Sequence, residues 1–194
     1  MKKPKILALF DFDGTIIRGD STKLAFKMLY KNKFAFIRGY YLKNSLGLLA
    51  LIVTGDYTYL RELRRKDLVK RFEYLKSSQF AQVARDQVFE SVYHKALQYV
   101  QNDIEVVIVS AGYREVIRIV LGNDFQYQII ANSLHERNSK QINYENKVLL
   151  VGKKYEGYLV QSAYGNTEGD IPMLQLADRA FWVDENGRIS EFSK

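Results

Sequence analysis

Cysteine is absent from the 194-residue chain, so neither a disulfide framework nor a thiolate-bound metal centre can form. That absence accords with the cytoplasm, which is the expected location. No internal repeat and no low-complexity segment is present, leaving an ordinary globular chain. The basic start, Met1-Lys2-Lys3-Pro4-Lys5, does not read as a secretory signal, because the apolar run after it is short and Asp11 and Asp13 interrupt it. A long unbroken apolar run is also lacking. The most apolar stretch, residues 34–53, carries Arg38 and Lys43 and is too interrupted for a membrane span.

What is present argues for an ordered core. Hydrophobic residues make up 47% of the chain, with 14 Tyr and 11 Phe, which excludes intrinsic disorder. The length suffices for one sizeable core, or a core with a modest insert. The net charge of +7 is unevenly spread: residues 1–100 carry +10 and residues 101–194 carry −3. Two units with different jobs would explain this, and the basic one could attract phosphorylated substrates, nucleic acid or anionic lipid.

One stretch organises the reading. Ile6 to Phe10 is an apolar run, the mark of a short buried strand. It ends in Asp11-Phe12-Asp13-Gly14-Thr15. Carboxylates are costly in a buried strand unless something compensates their desolvation, so they belong at the strand's C-terminal end, where open α/β sheets carry their sites. Such a pair supplies hard oxygen ligands for Mg²⁺, a carboxylate nucleophile and a group for acid–base work. Gly14 permits a tight turn. The same string also suits a merely solvated turn after an edge strand.

Between Ile16 and Val100 no strand alternation is visible. Helical spacing of apolar residues predicts helices over residues 22–30, 59–75 and 80–99. Residues 34–53 read as a buried helical hairpin or as an amphipathic surface that meets a lipid interface. Arg61, Arg64 and Arg65 share one helical face, either solvated or gripping acidic head groups. The aromatics here are too apolar and helical for a nucleic-acid stacking platform.

The second half brings further strand-to-loop junctions. Ile104 to Val109 is a β-branched run, a buried parallel strand, and it ends in Ser110-Ala111-Gly112 before a helix over residues 113–121. Backbone N–H groups and a hydroxyl can meet an anion there. A strand over 127–131 and a hairpin around Asn138-Ser139 follow. Leu159 to Tyr164 is the next strand and runs into Gly165-Asn166-Thr167-Glu168-Gly169-Asp170, then Ile171-Pro172-Met173-Leu174. Pro172 suits a first helical turn. A last strand over 181–183 precedes a turn at 184–188.

These junctions, in this order, resemble the haloacid dehalogenase (HAD) superfamily of phosphohydrolases. Phe10-Asp11-Phe12-Asp13-Gly14-Thr15 is similar to its first motif, Ser110-Ala111-Gly112 to its second, and Gly165 to Leu174 to its fourth. The helical insert after the first motif resembles, in position and helicity, the cap of the phosphoserine-phosphatase-like subgroup. The resemblance implies an α/β fold: a Rossmann-like parallel sheet core from residues 1–15 and 100–194, with an all-helical cap from residues 16–99. It implies a Mg²⁺-dependent phosphatase that works through an aspartyl-phosphate, with Asp11 as nucleophile and Asp13 as general acid and base. Ser110, Ala111, Gly112, Gly14 and Thr15 would hold the substrate. Asp11, Asp13, Asn166 and Asp170 would hold Mg²⁺. A lysine that neutralises nucleophile and phosphate is also implied, with Lys147 best by position and Lys153 and Lys154 as competitors. Asn166 departs from the pattern, standing where the family usually has Asp; an amide oxygen can still bind Mg²⁺, but more weakly. The expected partner is a small phosphomonoester, bulky or lipid-like given the basic, aromatic insert, with peripheral lipid contact through the cap and neither nucleic acid nor an obligate protein partner. The alternative is a catalytically weakened relative that binds a phosphorylated ligand or an anionic membrane surface.

Overall fold

The computed structural model describes residues 5–30, 58–77, 79–123, 125–136 and 145–193, with single positions 45, 49, 52, 53 and 142. A six-stranded sheet in the order β3-β2-β1-β4-β5-β6 forms the centre. Its strands are β1 (Ile6–Phe10), β2 (Glu105–Tyr113), β3 (Gln128–Asn132), β4 (Leu159–Gly165), β5 (Arg179–Val183) and β6 (Ile189–Glu191). All neighbours pair in parallel except β6, which runs antiparallel to β5. The fold is therefore α/β, as the alternation of strands and helices predicts.

Strand β1 is apolar on both faces because both are covered. Ala8 and Phe10 point into one core with the helices α1 (Ser21–Leu29), α4 (Glu90–Gln101) and α5 (Arg114–Leu121). Leu7 and Leu9 point into the other, with α6 (Glu145–Lys154) and α7 (Ile171–Leu174). The pleat's period of two makes this division. On the first face an aromatic row crosses three strands. Phe10 stacks on Tyr164 at 4.4 Å between ring centroids, and Tyr164 stacks on Phe181 at 4.7 Å. Their positions pair in register across β1, β4 and β5.

Strand β1 lies between β2 and β4, all parallel. The chain thus leaves β1 to opposite sides of itself, the switch point at which such sheets open a crevice at the strands' C-terminal ends. Asp11 follows β1, Ser110 to Gly112 close β2, and Asn166 follows β4. The three separated motifs therefore meet at one edge.

Between β1 and β2 the described residues are helical: α1, α2 (Thr58–Ser77), α3 (Phe80–Arg85) and α4. The single helix expected over 80–99 is two. At 86–89 the chain leaves helical geometry to pair with the loop after β1: Phe89 N–H donates to the Ile16 carbonyl at 2.8 Å, and Val88 bridges Ile17. Helix α4 then packs on the sheet through Val92 and Ala96. Most of the hairpin expected around Asn138-Ser139 lies outside the described residues, as does most of 34–53. Within the latter, Leu49, Ile52 and Val53 are 60%, 75% and 78% exposed, against burial at those positions. Among the described residues no helix is long and apolar enough to cross a membrane.

Candidate active site

The first loop is built so that two carboxylates leave β1 in different directions. Asp11 N–H still donates to the Tyr164 carbonyl at 2.9 Å, continuing the sheet pairing. Gly14 then turns the chain with φ +82°, a conformation that L side chains resist. Its bare Cα lets Asn166 pack closely: a Cβ at 14 would lie 2.1 Å from Asn166 Nδ2. The loops after β1 and β4 therefore touch where Gly14 has no side chain.

Asp11 is buried at the sheet edge and paired with Lys147, whose Nζ donates to Oδ1 at 2.6 Å. The same Nζ donates to Asp170 Oδ1 at 2.5 Å. Helix α6 delivers this lysine from its first turn, so Lys147, and not Lys153 or Lys154 in the last turn, reaches the site. Burial raises the Asp11 carboxyl to about 6, with Lys147 opposing and Asp170 reinforcing. Burial also works against the Lys147 charge, but Asp11 and Asp170 outweigh it and its affinity for the proton ends up raised. A buried cation between two buried carboxylates holds its charge by pairing.

Asp170 is more committed than the sequence suggests. Beyond Lys147, its Oδ2 accepts from Asn166 N–H at 3.2 Å, Thr167 N–H at 3.0 Å and Thr167 Oγ1 at 2.8 Å. It thereby ties the 166–167 loop to the lysine. Gly165 makes this possible, since a Cβ there would be 2.6 Å from Asp170 Cβ.

Asp13 faces the other way. Its Oδ1 accepts from Ser21 N–H, the first residue of α1, at 2.7 Å. Burial, then the nearby Asp20 charge, raises this carboxyl to about 7, partly offset by Ser21. A carboxyl poised near neutrality can give and take a proton.

Ser110 lies inside β2, which runs four residues beyond the expected end at Val109. Its Oγ accepts from Gly112 N–H at 2.9 Å. Asn132 of β3 donates to the Ala111 carbonyl at 2.5 Å and fixes the bend. A Cβ on Gly112 would lie 3.1 Å from Asp13 Oδ2 and 3.2 Å from Ser110 Oγ, so these two groups share one cradle. Thr15, fully buried, joins Asp11 to Asn166: its Oγ1 lies 3.3 Å from Asp11 Oδ2 and 3.0 Å from Asn166 Oδ1.

Asp11 Oδ2 and Asn166 Oδ1 thus converge on one hydroxyl. Asp11 and Asn166 offer hard oxygens of the kind that suit a small cation such as Mg²⁺. Among the described residues no group of three His, Cys, Asp or Glu could hold a metal, so Asp11, Asp13 and Asp170 do not form the three-carboxylate cluster expected with Asn166. Of the arginines expected to share a helical face, either solvated or gripping acidic head groups, Arg65 does neither. That residue is buried, forks onto Glu62 at 2.7 Å through Nε and Nη2, and donates to the Leu134 carbonyl. It fastens α2 to the loop after β3.

Ser21 and Glu115 lie outside the motifs. Ser21 emerges through its hydrogen bonding to Asp13. Glu115 accepts from Ser133 Oγ at 2.8 Å and Leu134 N–H at 3.0 Å, and no local pattern announces it.

Comparison with known proteins agrees with this fold. No curated protein sequence matches the chain significantly. In fold the chain is similar to a protein of unknown function from Bordetella pertussis Tohama I, with TM-score 0.71 and 18% identity over 92% of this chain and 89% of that one. It is similar also to a phosphoserine phosphohydrolase-like protein from Francisella tularensis, with TM-score 0.51 and 18% identity over 90% and 85% of the two chains. A HAD hydrolase from Bacillus subtilis bound to magnesium gives TM-score 0.51 and 16% identity over 94% and 89%. The model of haloacid dehalogenase-like hydrolases matches residues 8–175, a span that includes every loop meeting at the sheet edge, and the chain belongs to that family.

Proposed function

We propose that the protein hydrolyses phosphomonoesters with Mg²⁺ through an aspartyl-phosphate. The observation that carries this reading is the buried Asp11–Lys147–Asp170 relay beside a separate carboxyl, Asp13, poised near neutrality. Two carboxyls with different environments suit two roles. Asp11 is the nucleophile, and its attack forms a P–O bond to Oδ as the ester P–O bond breaks. Asp13 gives its proton to the leaving oxygen, then takes one from the water that cleaves the acyl phosphate. Lys147, Ser110 and the backbone around Ala111 and Gly112 balance charge on the phosphoryl oxygens. Gly14 and Thr15 hold the first loop in place for both carboxylates.

Asp11, the Asp13 carbonyl and Asn166 would hold Mg²⁺, which when bound neutralises phosphoryl charge. Asp170, with both oxygens engaged, serves by holding Lys147 and the Asn166 loop. The helices described within residues 16–99, α1 to α4, supply the cover, with α4 as its base on the sheet, and closure there would exclude water. The uncharged Asn166 weakens the metal site without removing it.

For substrate we propose a bulky or lipid-like phosphate, on the basic and aromatic character of the first half. Hydrolysis of a panel holding phosphoserine, a lysophospholipid phosphate and a polyprenyl phosphate tests this. The larger substrates should be preferred, and a clear preference for phosphoserine would refute it.

A second reading, contact with an anionic membrane surface, is favoured by the exposure of Leu49, Ile52 and Val53 in the basic half of the chain. Co-sedimentation with phosphatidylserine vesicles should occur at low salt and weaken at high salt. Absence of binding at low salt would dismiss it.

A further inference from the structure

Where β2 ends, its regular pairing with β3 breaks. Val109 pairs with Ile130 and Tyr113 with Asn132, so Ser110, Ala111 and Gly112 together face Ala131 alone. Bulges of this kind gather at sheet rims and beside functional sites, where they re-aim side chains. Here Ala111 is carried out to solvent while Ser110 and Gly112 stay buried. Side chains reach the carbonyls on both sides of the bulge: Asn132 Nδ2 donates to Ala111 at 2.5 Å and Arg114 Nη2 to Ala131 at 3.3 Å. The Ala111–Gly112 peptide is thereby held at both ends, since its N–H, that of Gly112, donates to Ser110 Oγ at 2.9 Å. A hydroxyl that accepts from an N–H turns its own proton away from that N–H, and the polarisation makes it a stronger donor. Asn132 is itself fixed. It is buried, and the two residues after it are gripped from two helices. Glu115 of α5 accepts from Ser133 Oγ at 2.8 Å and Leu134 N–H at 3.0 Å, while Arg65 of α2 donates to the Leu134 carbonyl.

We propose that Asn132 is a positioning residue for the phosphoryl group: by holding the Ala111 carbonyl it keeps Gly112 N–H on Ser110 Oγ, and so aims the Ser110 proton at a phosphoryl oxygen of the bound ester. The inference rests on the phosphatase reading above and adds to it a residue from the neighbouring strand that acts only through the bulge. Without the Asn132 amide the Ala111–Gly112 peptide loses one of its two holds and Gly112 N–H drifts from the hydroxyl. The loop then lacks a donor aimed in advance at the charge that grows during transfer. The residues that would hold the metal lie elsewhere, on the loops after β1 and β4, with β2 between them and Asn132.

Asn132→Ala and Asn132→Asp both lose the amide donor, and Asn132→Asp keeps the shape. The control is Ser133→Ala, which loses its bond to Glu115 in the same buried segment without touching the Ala111 carbonyl. In both Asn132 variants kcat/KM for p-nitrophenyl phosphate should fall about tenfold, less than the roughly hundredfold lost with a direct oxyanion donor. The inhibition constant of vanadate, a mimic of the pentacoordinate phosphoryl group, should rise by the same factor, with the Mg²⁺ concentration for half activity unchanged. That constant does not depend on how much of the protein is folded, so it separates positioning from loss of structure. In Ser133→Ala it should match the parent. Unchanged kinetics in the Asn132 variants would overturn the inference, as would a fall in kcat with the vanadate constant unmoved. So would an equal rise of that constant in Ser133→Ala, or loss of the cooperative urea transition in both Asn132 variants. If the parent protein itself does not hydrolyse p-nitrophenyl phosphate, the phosphatase reading fails, an outcome distinct from failure at Asn132.

Discussion

Replacing Lys147 by Met removes one charge and little volume, and the structure sets the scale of the result. The Lys147 side chain is 4% exposed, with Asp11 at 8% and Asp170 at 2%. Loss of the ammonium leaves two carboxylates facing each other without water or counter-charge. Breaking a buried pair by deleting one partner costs about 3–5 kcal/mol, and here two pairs share the deleted partner. Total domain stability is on the order of 5–15 kcal/mol, so the loss is a large fraction of it. For a chain of this size it corresponds to a fall in melting temperature of roughly 6–20 °C. Urea denaturation followed by circular dichroism measures it, the midpoint falling with the slope unchanged. The triple replacement Lys147→Met, Asp11→Asn, Asp170→Asn should regain much of the loss, since a neutral replacement of a buried ionic cluster is often tolerated. A single variant within about 0.5 kcal/mol of the parent, a value typical of surface changes, would show that the three groups are solvated, and the argument from burial would fail.

Three further outcomes follow from particular contacts. Gly14→Ala combines an unfavourable φ of +82° with a Cβ 2.1 Å from Asn166; it should lose about 1–3 kcal/mol and much of its phosphatase rate, measured by denaturation and phosphate release. Asn166→Asp adds a charged ligand to the metal position and should tighten Mg²⁺ binding on the order of tenfold by calorimetry; unchanged affinity would remove residue 166 from the metal site. Tyr30, raised to about 12 by burial and then by its bond to Asp67, favours its neutral form in the folded state. Its contribution is fully present below the ordinary tyrosine value near 10 and is lost as pH rises towards 12, so Tyr30→Phe should flatten the decline of stability over that window.

The sequence exposes features that two residues can state locally and hides those that need a third element. The β1 run is legible because both faces of a central parallel strand are apolar, and the carboxylates after it stand out against that run. Lys147 is separable from Lys153 and Lys154 only once α6 is seen to aim its first turn at Asp11. Helical spacing carries across residues 80–99, yet the pairing of Phe89 with Ile16 breaks the helix, a long-range bond that periodicity cannot register. The extension of β2 through Tyr113 has the same origin, with Asn132 on the neighbouring strand holding Ala111. Strand β6 is short and mostly exposed, Ile189-Ser190-Glu191, and gives no alternation to detect. Arg65 looks like one of three equivalent cations on a helix face, but a backbone carbonyl at Leu134 sets it apart. The site residues taken from motifs do gather at one sheet edge. Those outside motifs, Ser21 and Glu115, become visible only as partners.

The central proposal is that Asp11 attacks phosphorus while Asp13 transfers the protons and the other neighbours balance charge and orient it. Release of inorganic phosphate from p-nitrophenyl phosphate, measured side by side for the parent protein and Asp11→Asn in Mg²⁺ and in EDTA, tests it most directly. The account predicts turnover by the parent in Mg²⁺ alone and none by Asp11→Asn in either condition, with the variant still folded by circular dichroism. Full-rate turnover by a folded Asp11→Asn protein would contradict it.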